Sequence, residues 1–308
     1  MSRGRLSLGC VALLGSIVVA GCGGTTSTKP DPPPPGSIAA LLNRAGEDVA
    51  LTPGTSSHVP GPIRVSFLVI RHDGRAVEHP RARVWIASQL NARPYATGVA
   101  ALEPIGVPGV SWEAEGHATQ IYVAHLRAPR PGTYWLLAEP VGGSRPVQAI
   151  GNVVVSAKSA EPGLGRRAIR SKTPTLRSER GNLARLTTAK PPDKGLLRHS
   201  IAESLAAHTP FVVTFATPKF CSSRACGPVV DVVDAVGKRF ARSAVRFIHV
   251  EIYRNNDPGA GFNRWVKEWR LPTEPWTFLV GRDGLIKAKF EGSVSVEELT
   301  RAVQIHLT

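Results

Sequence analysis

Apolar residues follow two different patterns in the two halves of the chain. Residues 38–157 carry short runs of β-branched and aromatic residues separated by turn residues, with no helical period between the runs. Residues 198–308 alternate such runs with segments whose apolar positions recur every three or four residues. The first pattern predicts an all-β sandwich domain, and the second predicts an α/β domain.

The strands predicted in residues 38–157 are bounded by turn signals. Asp73-Gly74 between two runs is a hairpin signal. Pro131-Gly132-Thr133-Tyr134-Trp135 resembles the turn and strand that carry the tyrosine corner of immunoglobulin-like domains, which implies an immunoglobulin-like sandwich. The predicted strands are 63–71, 83–88, 120–126, 133–138 and 149–156.

In residues 198–308 the predicted elements begin with a helix, because Ser200 and Glu203 have the spacing of a capping box. Phe211–Phe215 predicts a buried strand, and Gly227-Pro228 opens a helix that continues to Phe240. A second capping box, Ser295 to Glu298, opens the terminal helix. The remaining predictions are strands at 245–252, 276–280 and 285–290 and a short helix at 262–269.

The first 21 residues have the features of a signal peptide. A basic start is followed by an apolar run, and Val19-Ala20-Gly21-Cys22 resembles the lipobox of bacterial lipoproteins. The resemblance implies cleavage before Cys22, lipid on its sulfur and anchoring at the extracytoplasmic face of the cell membrane. An uncleaved anchor is the alternative, although the run is short for a membrane span. Residues 22–37, rich in proline and glycine, predict a tether.

Four cysteines are present, and this interpretation assigns two of them to the N-terminus. Cys10 leaves with the signal peptide and Cys22 carries lipid, so Cys221 and Cys226 remain as the thiols of the mature protein. Outside the cytoplasm, a close pair favours a disulfide or a redox pair over a zinc site, which needs more ligands. We therefore expect no metal and no cofactor.

The formal net charge is +15, and much of the excess lies in residues 158–197. Prolines and glycines interrupt this segment, which predicts a flexible basic linker between the two domains. In a lipid-anchored protein such a segment could lie on anionic lipid or wall polymer, and a solvated linker without a partner is the alternative. We expect no nucleic-acid partner.

Three motifs in residues 198–308 resemble the thioredoxin-like superfamily. They are the strand and loop FVVTFATPKFC, the element Cys226-Gly227-Pro228, and the loop Glu274-Pro275-Trp276 followed by Asp283-Gly284. The resemblance implies a thioredoxin-like fold in which Cys221 and Cys226 are catalytic. It also implies that Pro275 is a cis-proline and that Phe220, Glu274 and Pro275 contact the substrate.

The chain departs from that family at three points. Cys221 and Cys226 are separated by four residues instead of two, so Cys221 must lie in a loop that folds back. Thr214 stands where the family usually carries a buried acid. Glu274 would place a carboxylate near the sulfurs, which opposes formation of the thiolate.

The favoured function is thiol–disulfide exchange on the thiols and disulfides of exported proteins. The main alternative is a non-catalytic binding or scaffold protein of the cell surface in which the Cys221–Cys226 disulfide is structural. Two further alternatives are Cu(I) delivery that uses both cysteines with His249, and a peroxiredoxin-like activity based on Ser223 and Cys226. The sequence does not specify which cysteine is the nucleophile.

Overall fold

The computed structural model describes residues 31–42, 46–109, 118–220 and 226–308. The predicted signal peptide, Cys22 and most of the predicted tether lie outside the described residues. Residues 33–308 form one compact unit. Within the described ranges, no helix combines the length and apolar character that crossing a bilayer requires.

The unit contains eleven strands and five α-helices among its described residues. The strands are β1 (Val49–Pro53), β2 (Gly61–Arg71), β3 (Arg81–Ala87), β4 (Ala96–Pro104), β5 (Gln120–Ala128), β6 (Gly132–Pro140), β7 (Ala149–Val155), β8 (Phe211–Phe215), β9 (Arg246–Val250), β10 (Trp276–Val280) and β11 (Ile286–Glu291). The helices are α1 (Ile38–Leu42), α2 (Ile201–Ala206), α3 (Cys226–Arg239), α4 (Arg264–Glu268) and α5 (Val296–Leu307).

The first seven strands form one antiparallel sheet in the order β1-β2-β5-β4-β3-β6-β7. The sheet curls so that its two edges meet, with isolated parallel bridges joining Glu47 to Val147 and His58 to Val155. Curling removes most of the exposed edge that an open sheet would present. The result is a nearly closed barrel.

The interior of the barrel is filled by alternate residues of its strands, as a period of two requires. On β2 these are Ile63, Val65, Phe67 and Val69, each at most 5% exposed. Tyr122 stacks on Phe67 with ring centroids 5.4 Å apart. The barrel therefore has a continuous apolar core of its own.

A hydrogen bond forms at the turn before β6, in the segment that resembles a tyrosine corner. The Tyr134 hydroxyl donates to the Arg130 carbonyl at 2.8 Å. This bond fixes the entry to β6.

The second sheet has four strands in the order β11-β10-β8-β9, of which only the β8–β9 pair is parallel. Helices α3 and α5 cover one face, and the other face packs against a cluster of aromatic rings. All residues of β8 and β10 are buried, as expected of strands covered on both faces.

The barrel and the second sheet are joined by buried polar contacts. Arg64 on β2 makes a bidentate ion pair with Glu298 on α5, with N···O distances of 2.7 and 2.9 Å. Glu291 at the end of β11 accepts hydrogen bonds from the backbone amides of Ser56 and Ser57. Gly292, with a φ of 71°, has so little space that a Cβ would lie 2.6 Å from the Gly54 carbonyl oxygen.

Residues 158–197, predicted as a flexible linker, are folded against the second sheet. The Ile286 amide donates to the Arg166 carbonyl and the Ala168 amide donates to the Gly284 carbonyl, so this segment covers the β11 edge. Farther along, Ser171 hydrogen-bonds Glu268 through its hydroxyl. The segment is therefore folded and not flexible as predicted. Charged residues dominate its composition, but the small residues between them are buried against the rest of the unit.

The predicted fold class is wrong. Instead of an immunoglobulin-like sandwich of two stacked sheets, the first seven strands make a single sheet that nearly closes on itself. The thioredoxin-like assignment is also corrected, because the structure is predominantly β, with 33% strand against 20% helix, and shows no separate C-terminal α/β domain. The contacts across the junction and along residues 158–197 explain why residues 33–308 form one unit.

Candidate active site

One edge of the second sheet, where β8 and β9 end and β10 begins, brings together the segments that carry the described site residues Phe220, Glu274 and Pro275. Phe215 at the end of β8 pairs with Val250 at the end of β9 and with Trp276 at the start of β10. The loops that follow β8 and β9 and the loop that precedes β10 therefore meet at this edge. Pairing across the sheet, and not proximity in sequence, brings these loops together.

The loop after β8 leads toward the cysteines. Ala216 and Thr217 are fully buried, and the Lys219 amide donates to the Thr188 hydroxyl at 3.1 Å. Phe220 is half-buried, with the Lys219 ammonium 5.0 Å from its ring centroid. A cation at this distance lies within the range of an attractive cation–π contact.

The cysteines themselves are only partly placed by the structure. Cys221 and the Ser223 of the peroxiredoxin-like alternative lie outside the described residues. Cys226 is the first residue of α3, and its side chain is likewise not among those described. The structure therefore places the start of α3, at Cys226, beside this edge of the sheet.

The loop before β10 contains the predicted cis-proline. The Glu274–Pro275 peptide bond is cis, which confirms that prediction. The Pro275 carbonyl accepts a hydrogen bond from the Gly292 amide at 2.9 Å, which connects this loop to the barrel junction. Burial, followed by the charge of the nearby Glu274 carboxylate, raises the pKa of the Tyr253 phenol.

Thr214, which stands in place of a buried acid, is satisfied by neutral hydrogen bonds. Its hydroxyl donates to the Trp276 carbonyl at 3.3 Å and accepts from the Thr277 hydroxyl at 3.1 Å. No proton transfer can be assigned to this position, because a threonine hydroxyl does not ionise in the ordinary pH range.

A buried carboxylate near the same edge escaped the sequence analysis. Glu251 directly follows β9 and is 5% exposed. One of its oxygens accepts from the Thr188 amide and hydroxyl, at 2.5 and 2.6 Å. The sequence contained a signal for this carboxylate, because Glu251 stands between the apolar residues Val250 and Ile252. A charged residue within such a run is buried only when it has hydrogen-bonding or ionic partners.

His249, which the copper hypothesis names as a ligand, has a polar neighbour within hydrogen-bonding distance at each of its two ring nitrogens. Its Nε2 lies 3.1 Å from the Ala216 carbonyl oxygen, and its Nδ1 lies 3.4 Å from the Thr187 hydroxyl. Among the residues that the structure describes, no group of three histidine, cysteine or acidic side chains is arranged to hold a metal ion.

A cleft of about 1200 Å³ opens between the barrel and the second sheet, and the Glu274 loop forms part of its wall. The rings of Tyr253 and Phe262 stack there, with centroids 5.5 Å apart and planes 9° apart. The sequence could not reveal this cleft, because its walls come from segments about 200 residues apart.

Comparison with known proteins identifies no family for the chain. No protein-family model matches it, and no curated protein is significantly similar to it. The argument for function therefore depends on the site alone.

Proposed function

We propose that the protein catalyses thiol–disulfide exchange on exported polypeptides through Cys221 and Cys226. The observation that carries the proposal is the meeting of three features at one sheet edge: the loop ending at Phe220, the start of α3 at Cys226 and the cis Glu274–Pro275 loop. In the sequence, Cys221 directly follows Phe220 and Cys226 begins α3, and two cysteines close in the chain are what such an exchange needs.

The reaction proceeds through a mixed disulfide. The thiolate of one cysteine attacks one sulfur of a substrate disulfide, and the other substrate sulfur leaves as a thiolate and takes up a proton. The second cysteine then attacks the mixed disulfide, which releases the reduced substrate and leaves a Cys221–Cys226 disulfide. The reverse sequence oxidises a substrate dithiol.

The surroundings of the pair affect the thiolate in opposite directions. The position of Cys226 at the start of α3 favours a thiolate, because a helix N-terminus carries partial positive charge. The Glu274 carboxylate opposes it by like charge. Lys219, two residues before Cys221 in the sequence, adds a positive charge that favours the thiolate.

The proposed location follows from the N-terminal motif. Lipid on Cys22 would hold the protein at the extracytoplasmic face of the cell membrane, where exported proteins supply thiols and disulfides. The basic residues of 158–197 would face anionic lipid headgroups or wall polymers. Mass spectrometry of Cys22 peptides from membrane fractions tests this location, and unmodified peptides would refute it.

Cysteine variants test the proposed reaction directly. We expect Cys221→Ser and Cys226→Ser each to lose turnover in an insulin-reduction assay, and one of the two to accumulate a mixed disulfide with a peptide substrate. Thermal unfolding of the same variants controls for misfolding. Unchanged turnover in both single variants would refute the proposal and favour a structural disulfide.

A further inference from the structure

A smaller pocket beside Phe220 shares no wall residue with the cleft. Its volume of about 430 Å³ lies within the roughly 300–1,000 Å³ typical of sites for compact ligands. Its walls are built from residues of three segments, 183–192, 219–220 and 255–256. We call it the lysine pocket, because Lys190 and Lys219 are the only charged residues among its described walls.

Hydrogen bonds hold the three segments of the lysine pocket together. The Lys219 amide donates to the Thr188 hydroxyl at 3.1 Å, and the Asn256 side-chain amide donates to the Ala184 carbonyl at 2.7 Å. Each of the two shorter segments is therefore attached to residues 183–192. A ligand that enters such a pre-formed site does not have to order its walls.

The two lysines give the pocket a positive charge. Both are exposed, and neither forms an ion pair within the part of the chain that the structure describes. The Lys219 ammonium lies 5.0 Å from the centroid of the Phe220 ring, a contact that positions the ammonium without neutralising it. Two such charges on facing segments of one pocket attract an anionic ligand.

The carboxylates closest to the pocket in the chain do not line it. Glu251 is 5% exposed and accepts hydrogen bonds from the Thr188 amide and hydroxyl. Asp193 and Asp257 follow wall residues, and each accepts from an amide of its own turn. None of these three carboxylates pairs with a lysine of the pocket, so an incoming anion meets both ammonium groups.

We propose that the lysine pocket binds a compact organic phosphate, that is, a phosphate monoester group on a small aromatic or apolar body. Above its second pKa of about 6, a monoester carries nearly two negative charges on one group, which match the two ammonium groups. Lysine binds phosphate as a point charge, and the exposed Asn255 carboxamide can donate a further hydrogen bond. The half-buried Phe220 ring offers a surface to the body of the ligand.

Calorimetric titration of the full-length protein in a phosphate-free buffer near pH 8 tests the inference with three probes. Phenyl phosphate has both the charge and the ring, benzoate has the ring and one charge, and inorganic phosphate has the charge alone. We expect phenyl phosphate to bind about tenfold more tightly than benzoate and about three- to tenfold more tightly than inorganic phosphate. The preference over benzoate should shrink at high salt, where charges are screened.

Charge variants test whether the two lysines form the site. Lys190→Gln and Lys219→Gln should each weaken phenyl phosphate about three- to tenfold. Lys194→Gln removes an exposed lysine of the same segment that is not part of the wall, and it should leave binding unchanged. An equal effect of all three variants would show general attraction to a basic chain and would overturn the inference.

Variants of the uncharged wall residues locate the ligand. Ala184 is exposed, so Ala184→Trp can fill the pocket without repacking the interior and should abolish binding. Ala101→Trp places the same ring on an exposed part of β4 and should not affect binding. Phe220→Leu should reduce the advantage of phenyl phosphate over inorganic phosphate. Binding that survives Ala184→Trp would overturn the inference.

Vesicles distinguish a free ligand from a lipid, because phosphatidic acid presents the same phosphate monoester at a membrane. The protein is sedimented with phosphatidylcholine vesicles that contain or lack phosphatidic acid. If Lys190→Gln weakens the phosphatidic-acid interaction as much as it weakens phenyl phosphate, the ligand is a lipid headgroup. If that interaction is absent or does not respond to Lys190→Gln, the ligand of the pocket is a free organic phosphate.

The test is independent of the proposed exchange, because none of the probes has a thiol or a disulfide. Equal affinities for phenyl phosphate and benzoate, or no binding of either, would overturn the pocket assignment and leave the exchange to its own test. Charge-dependent binding in a protein without exchange activity would keep the assignment and refute the proposed reaction.

Discussion

The ion pair between Arg64 and Glu298 holds the barrel to the second sheet, and breaking it should destabilise the whole unit. The two side chains are only 12% and 14% exposed. Arg64 also donates to the Ser293 carbonyl at 2.8 Å. Glu298→Gln leaves the guanidinium nearly buried without its counter-charge, which costs about 3–5 kcal/mol in fully buried pairs and about 0–1 kcal/mol in exposed ones. For this partly buried pair we expect about 2 kcal/mol.

The neighbouring residue of the same helix turn provides the control. Glu297 pairs with Arg239, but these side chains are 71% and 48% exposed, so Glu297→Gln should cost less than about 0.5 kcal/mol. Both glutamates lie in the first turn of α5, so their interactions with the helix dipole are similar.

Thermal unfolding of the two variants measures the difference. A loss of about 2 kcal/mol corresponds to a fall in Tm of roughly 3–4 °C for a unit of this size, and the control should shift by less than about 1 °C. A double variant, Arg64→Met with Glu298→Leu, should recover part of the loss, because no charge remains buried. Equal shifts for Glu297→Gln and Glu298→Gln would refute the role of the junction pair.

Three further predictions concern stability. Gly292→Ala should lower the free energy of unfolding by about 3 kcal/mol, because the φ of this residue is positive and its new Cβ would meet the Gly54 backbone. Gly74 also has a positive φ but has open space around it, so Gly74→Ala should lower the free energy of unfolding by only about 1 kcal/mol. Similar losses for the two variants in urea unfolding would contradict this. Ser200→Ala removes the hydroxyl that accepts from the Glu203 amide in the capping box and should lower the free energy of unfolding by about 1 kcal/mol; an unchanged Tm would contradict this. Burial lowers the pKa of His58, so as the pH falls the unfolded chain binds a proton at this position before the folded chain does. The free energy of unfolding should therefore decrease as the pH drops below about 6.5. His58→Gln should reduce this dependence on pH, and an unaltered dependence would exclude His58 as its source.

Local signals in the C-terminal part of the sequence predicted its elements well. The capping box at Ser200 lies where α2 begins, and the bounds predicted for Phe211–Phe215 and Trp276–Val280 agree with β8 and β10. The capping box at Ser295 is formed only in part: the Ser295 hydroxyl accepts from the Glu298 amide, while the Glu298 carboxylate pairs with Arg64.

The architecture was not predictable from the same signals. Strands β1 and β4 were missed, because β4 is rich in alanine and glycine, which have low strand propensity, and β1 is short and partly exposed. Closure of the barrel depends on bridges between residues about 100 positions apart, and its junction with the second sheet depends on contacts between residues more than 200 positions apart. A sequence pattern with a period of two or four contains no information about such contacts.

The segment 158–197 shows why composition alone misled the prediction. Its charged residues and prolines are typical of a flexible linker, yet Ser171, Thr173 and Thr175 are each at most 4% exposed. Alternate small residues are buried while the residues between them face outward, a pattern that average hydrophobicity hides. The same segment supplies Thr188, which contacts both Glu251 and the Lys219 amide at the candidate site.

The reduction potential of the Cys221–Cys226 pair is the most direct test of the proposed function. It is measured by equilibrating the full-length protein with glutathione and dithiothreitol buffers and trapping the free thiols. Exchange activity predicts a value between about −270 and −120 mV, the range of catalytic oxidoreductases. A value below about −300 mV, typical of structural disulfides, would contradict the proposal.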